Sequence, residues 1–197
     1  MTTEPVARCR FVLVDPARTT DPVVRAVFTE IEQELGFGIV PNLFRTMANQ
    51  PRVLRATWDL FRATVLDGVV PRIVKEMIGV VSAANGSEYA LRIHMHSLGV
   101  QGVGLGVLDA LARGSAEARG VAPSVAILLR VAHTAAHSGP LAVSDADLAL
   151  AASEGVTLEE LAEPFATIDL FRYVNGFTDL VPLLCALVSR NSTRERP

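Results

Sequence analysis

Asn85-Gly86-Ser87-Glu88-Tyr89-Ala90-Leu91-Arg92-Ile93-His94 is the stretch on which the fold turns. Asn85-Gly86 breaks the apolar-periodic run before it, and Gly86 suits the left-handed position just past a helix end. Ser87 then opens a second helix, as an N-cap whose side-chain oxygen accepts from a backbone N–H two or three residues on. Ser87 and His94 are seven apart, so two helical turns put them on one face, roughly 10 Å apart along the axis. Ala90 lies between them. They cannot form a direct Ser–His pair; a substrate or a water would have to bridge them.

Working outward, helical spacing of apolar residues recurs in both directions. Asp21-Pro22 opens a helix carrying Val24, Val27, Phe28, Ile31 and Leu35 on one face, ended by Gly36 and Gly38. Pro41-Asn42-Leu43-Phe44 begins the next. Leu54, Trp58, Phe61 and Val65 mark a helix from Val53 to Leu66, and Pro71 starts one that runs to Ala84. Downstream, helices are expected over Ser87 to Val100, Val107 to Leu111, Pro123 to His137, Asp145 to Ala152, Leu158 to Val174 and Asp179 to Val188. Phe11 to Val14 is a short extended segment, and no strand is expected after it. The fold class is all-α, a bundle of roughly eight to ten helices joined by short loops. Residues 1–20 read as an N-terminal leader, 21–189 as one domain and 190–197 as a flexible tail.

Composition narrows the function classes. The chain has 197 residues, half of them apolar, and a net charge of −3. It lacks the basic patch or tail that gripping phosphates requires, so nucleic acid is not an expected partner. No apolar run reaches the roughly 20 residues that span a bilayer, and the first fifteen residues do not read as a signal peptide. No membrane association is expected, and the default compartment is the cytoplasm. The cysteines, Cys9 and Cys185, lie near opposite ends and read as plain thiols rather than a local redox pair.

The quoted stretch resembles the signature N-x-C-x-Y-C-x-x-x-H of the alkylhydroperoxidase-D-like proteins, in the superfamily that includes carboxymuconolactone decarboxylase. Asn85, Tyr89 and His94 stand where that pattern asks, while Ser87 and Ala90 occupy the two cysteine positions. The likeness extends from about Val40 to Val188. It takes in Pro41-Asn42-Leu43-Phe44, the block Val80 to His96, and the runs Ser144 to Leu148 and Gly155 to Leu161. The resemblance implies a helical bundle of two similar halves, here residues 40–105 and 121–188, and a homo-oligomer whose order is not readable. It also implies that the chain is not a thiol peroxidase, because both thiols are missing. The lactone decarboxylase branch, similar in lacking the cysteine pair while keeping a histidine, implies proton-transfer chemistry on small carboxylated compounds.

On that likeness His94 is the main acid/base and Glu76 its relay, near the place of the family's acidic residue about three turns before the first cysteine. Ser87 and Tyr89 become substrate hydrogen-bonders and Ala90 the floor of a small apolar pocket. The residues themselves leave other readings open. Ser87 also reads as a plain N-cap, His94 as a hydrogen-bonded core histidine, Glu76 as a surface acid beside Lys75, and Tyr89 as packing. If Glu76 is buried among Val74, Met77 and Ile78, burial is expected to raise its pKa. Arg172 is a candidate carboxylate anchor through its planar fork, or else a surface ion-pair residue. His94 and His96 cannot converge on one ion, since helical residues two apart point away from each other. His133 and His137, four apart, share a face and are the candidate metal pair, although two histidines make an incomplete site. No cofactor is expected.

The expected function is a cofactor-independent acid/base enzyme of decarboxylase, isomerase, lyase or cyclase type. Its substrate would be a small organic acid or secondary metabolite. The alternatives are a non-catalytic ligand-binding or assembly protein on the same scaffold, and a metal- or haem-dependent oxidoreductase.

Overall fold

A computed structural model describes residues 12–83, 87–115 and 120–178. Among these residues every regular element is helical. The α-helices are α1 (Pro22–Leu35), α2 (Asn42–Met47), α3 (Pro51–Phe61), α4 (Arg72–Ala83), α5 (Glu88–Val100), α6 (Leu105–Ala112), α7 (Pro123–Ser138), α8 (Asp145–Ser153) and α9 (Leu158–Thr178). The expected helix over 179–188, the leader to Phe11 and the tail lie outside the described residues. No described helix is long and apolar enough to cross a membrane.

Local chemistry sets several boundaries. Asp21 caps α1 by accepting from the N–H groups of Val23 and Val24 at 2.9 and 3.0 Å. Gly36, at φ 76°, ends that helix in the left-handed region. Ser144 and Asp147 form a reciprocal capping box at the start of α8. The expected single helix from Val53 to Leu66 instead changes pitch, since α3 passes into a π-helical turn over Arg62–Leu66.

The described residues fall into two compact units. The first comprises residues up to Leu60 together with those from Gly176 onward. Its core contains Val24, Val27, Phe28, Ile31 and Leu54, with Phe44 and Trp58 edge to face at 5.5 Å. The Trp58 indole N–H donates to Glu30 at 2.9 Å, and Glu30 also takes both guanidinium nitrogens of Arg55. These carboxylate contacts push the Arg55 pKa further up.

The second unit, Phe61–Asn175, is built around α4, which packs on α5 and α7. Ile78, Val80 and Val81 of α4 lie in one cluster with Leu98, Leu111, Leu129, Ala132 and Ile168. The N-terminal end of α4 is fixed by a buried ion pair. Lys75, 0% exposed, meets Glu163 of α9 at 2.9 Å and donates to the carbonyl of Asp67. Glu163 also accepts from the N–H groups of Val69 and Val70 at 2.7 and 2.9 Å. Gly68, at φ 105°, permits this turn, because a Cβ there would collide with the Glu163 carboxylate and with Lys75 Nζ.

Candidate functional site

Glu76 follows Lys75 on α4, and His94 lies on α5. Both are buried, at 4% and 7% exposure. His94 Nδ1–H donates to Glu76 Oε2 at 2.5 Å. A carboxylate on Nδ1 fixes the tautomer and leaves Nε2 as the other nitrogen for chemistry. The second carboxylate oxygen, Oε1, accepts from Ser97 Oγ at 3.2 Å and faces Arg72 Nε at 3.6 Å. Gln101 donates to Ser97 Oγ at 3.2 Å, which orients that hydroxyl toward Glu76. Helical geometry explains the convergence. Arg72 precedes Glu76 by one turn on α4, and Ser97 and Gln101 succeed His94 by one and two turns on α5.

Burial alone pushes the Glu76 pKa up, as expected from the sequence. The His94 charge and hydrogen bond, the Arg72 charge and the Ser97 hydrogen bond more than offset it, and hold the carboxyl below its ordinary value. The direction expected for Glu76 is therefore reversed, because its polar partners on α4 and α5 outweigh desolvation. An ionised Glu76 suits a histidine that must carry positive charge, and suits less well a carboxylic acid that must deliver its own proton.

The imidazole has two further neighbours. A Cβ placed on Gly79, in the middle of α4, would lie 2.7 Å from His94 Cδ2, 2.8 Å from Nε2 and 2.9 Å from Cγ. The ring therefore sits directly against the helix backbone. Phe171 of α9 contacts the same ring, with centroids 4.5 Å apart and planes tilted by 57°.

The other expected site residues are distributed as follows. Ser87 is the N-cap of α5; its buried Oγ accepts from Ala90 N–H at 3.3 Å. Tyr89 and Ala90, two and three residues after Ser87 in the same turn, are buried. The Arg172 guanidinium donates to the carbonyls of Ala135 and Ala136 at 3.0 and 2.8 Å, closing the last turn of α7, and pairs with Asp169. The His133 and His137 rings lie 4.4 Å apart with their planes tilted by 51°, and His137 Nε2–H donates to the Val81 carbonyl at 3.0 Å. Burial, and then the charge of His137, hold the His133 pKa down. Among the described residues no third His, Cys, Asp or Glu gathers with them to hold a metal ion. His133 also lines a cavity of about 410 Å³, with Ile127, Arg130, Leu150 and Glu154, and neither Glu76 nor His94 is among its lining residues.

Sequence reasoning passed over Ser97, Gln101, Arg72, Gly79 and Phe171. Ser97 and Gln101 stand at helical spacing from His94, and Arg72 and Gly79 at helical spacing from Glu76, so those four were readable once the pair was assumed. Phe171 carries no local signal.

No protein-family model matches the sequence, and no curated protein matches it. Solved structures do match. An uncharacterized peroxidase-related protein from Ralstonia eutropha JMP134, described as an alkylhydroperoxidase AhpD core, is 24% identical with a TM-score of 0.76, over 92% of this chain and 93% of that one. A peroxidase-related protein from Silicibacter sp. TM1040 is 18% identical, TM-score 0.74, over 91% of each chain. A variant of the debrominase Bmp8, solved with 2,3,4-tribromopyrrole, is 24% identical, TM-score 0.70, over 87% of this chain and 90% of that one. These likenesses span nearly the whole chain, and the protein has the alkylhydroperoxidase-D-like all-α fold.

Proposed function

We propose that this protein is a cofactor-independent acid/base enzyme acting on a small organic acid or secondary metabolite, by decarboxylation, isomerisation, elimination or cyclisation. The observation that carries the reading is the buried 2.5 Å contact between His94 Nδ1 and Glu76 Oε2. In the working state Nε2 of His94 takes a proton from the substrate and returns it at another position. Glu76, held ionised, stabilises the imidazolium formed in between. Ser97 and Arg72 hold Glu76 in place. Ser87, Tyr89 and Ala90 shape the substrate side of α5. With Ser87 and Ala90 at the two cysteine positions of the resembled signature, thiol peroxidase chemistry has no thiol pair to use. A small-molecule substrate is supported by the tribromopyrrole bound in the Bmp8 complex.

The protein is further proposed to act in the cytoplasm as a homo-oligomer. The homo-oligomer is what the resemblance to the alkylhydroperoxidase-D-like proteins implies.

The test begins with native mass spectrometry of the purified protein, for its oligomeric state and any retained small molecule. A substrate screen then compares wild type with His94→Ala. A positioned acid/base is worth about 10²–10⁴-fold in rate. Loss of that size supports the assignment, and a loss of only a few-fold sinks it.

A further inference from the structure

Gly79 has no local reason to be glycine. It lies within α4 between the fully buried Ile78 and Val80. It is not among the glycines with positive φ, so its backbone does not need the freedom that glycine provides. Glycine is also a poor helix former. What the position does need is the missing side chain. Three atoms of the His94 ring, Cγ, Cδ2 and Nε2, would lie 2.7–2.9 Å from a Cβ there, against the 3.4 Å at which ordinary contact begins. The ring cannot simply swing away. Its Nδ1 is held by Glu76 at 2.5 Å, and Phe171 packs on it from α9.

We propose that Gly79 and Phe171 are positioning residues for His94. The bare backbone at Gly79 and the ring of Phe171 make a slot that keeps Nδ1 on Glu76 and leaves Nε2 as the proton-transfer nitrogen. This inference rests on the acid/base reading of His94 for its purpose, but the slot itself is a statement about the imidazole's geometry. Neither residue touches substrate; both act through His94. A methyl group at position 79 would press on the face of the ring, over Cγ, Cδ2 and Nε2. Clearing it requires the ring to move by several tenths of an ångström away from the geometry that Glu76 now holds. A displacement of about 1 Å at a reacting group can cost on the order of 10²-fold in rate.

The experiment compares wild type, Gly79→Ala and Phe171→Leu as full-length protein. Circular dichroism and urea midpoints report folding, and long-range proton–nitrogen NMR of the histidine side chains reports the His94 tautomer and the exchange of its Nδ1 proton. Wild type is expected to show one tautomer with a slowly exchanging Nδ1 proton. Gly79→Ala, folded, is expected to lose that pattern and, once a substrate is in hand, to lower kcat about 10²-fold with a smaller change in KM. A folded Gly79→Ala that keeps the wild-type His94 pattern overturns the proposal. Should Gly79→Ala fail to fold, Phe171→Leu decides, and an unchanged His94 pattern there overturns it too. Failure of the acid/base reading looks different: His94→Ala keeps its activity while the slot variants still disturb the imidazole.

Discussion

Replacing Glu163 by glutamine breaks one charge out of a buried pair and changes almost nothing else in shape. Lys75, 0% exposed, then keeps only neutral acceptors, the Asp67 carbonyl and the amide oxygen where that takes the Oε2 place, with no opposite charge in contact among the described residues. The amide also serves the turn less well. Its oxygen accepts from one of the Val69 and Val70 N–H groups, while its NH₂ confronts the other. Stranding one member of a buried ion pair costs about 3–5 kcal/mol. Glu163 is partly open to water, and Lys75 retains neutral acceptors, which places Glu163→Gln near the low end, at about 3 kcal/mol. For a protein of this size that corresponds to a fall in Tm of roughly 6–12 °C. Urea denaturation with an unchanged m-value measures it. Adding Lys75→Met to Glu163→Gln should recover part of the loss, because no charge is then left stranded. The pair also sets an acid limit. Burial pushes the Glu163 pKa up, but Lys75 and the two backbone N–H groups outweigh it and hold the carboxyl below its ordinary value. That contribution is complete above the unfolded carboxylate pKa, about 4.3, and fades as pH falls through the lower folded value. A Glu163→Gln variant within about 0.5 kcal/mol of wild type at neutral pH would refute the reasoning.

Two further outcomes follow from the site. Glu76 is likewise held below the ordinary carboxylate range, so it too favours the folded state at neutral pH and loses that contribution on acidification. Glu76→Gln is expected to be less stable near neutrality and to show a flatter acid limb in urea midpoints measured against pH; an acid limb as steep as wild type would count against the ionised Glu76. Arg172→Ala removes two hydrogen bonds to the last turn of α7 and should cost about 1 kcal/mol by urea denaturation. A KM for a carboxylate substrate that rises more than tenfold would show instead that the guanidinium serves the ligand.

The helices were legible because their signals are local. Asp21-Pro22 and Gly36 bracket α1, and each of Val24, Val27, Phe28, Ile31 and Leu35, spaced for one face, is buried. Pro51 reads as a stop for the segment before it, and it is also the first residue of α3. The pitch change at Arg62 to Leu66 left no mark in the apolar pattern, because Val65 fits the helical spacing of Leu54, Trp58 and Phe61 and is buried within the π-helical turn. At the site, the face shared by Ser87, Ala90 and His94 was readable from helical spacing, and so was the N-cap role of Ser87. The position of Lys75 was not. Beside Glu76 it looks like surface, yet its partner is Glu163, far along the chain on α9. Arg172 is legible in part: its pair with Asp169, three residues back, matches the ion-pair reading, while its backbone-carbonyl acceptors on α7 carry no sequence signature. Long-range polar pairing is set by how helices pack, which periodicity does not encode.

Two histidines of this protein hold their rings differently, the exposed His137 and the buried His94. His137 needs a single acceptor and finds it in the Val81 carbonyl, a group that must be satisfied somewhere in any case. Nothing charged has to be buried to achieve this. His94 is paired instead with a carboxylate at 4% exposure. Burying that carboxylate is unfavourable by itself, and it is tolerable only because Ser97, Arg72 and the imidazole surround it. Five side chains, counting Gln101, are thus organised where one carbonyl would have met the hydrogen-bonding need. Stability alone does not call for that arrangement, since apolar side chains of similar volume generally do as well as a buried ion pair. A fixed tautomer beside a fixed negative charge is what proton transfer through Nε2 requires. A buried carboxylate on His94 Nδ1, where a neutral acceptor would have met the hydrogen-bonding need, is therefore the strongest physical ground for giving His94 a chemical role.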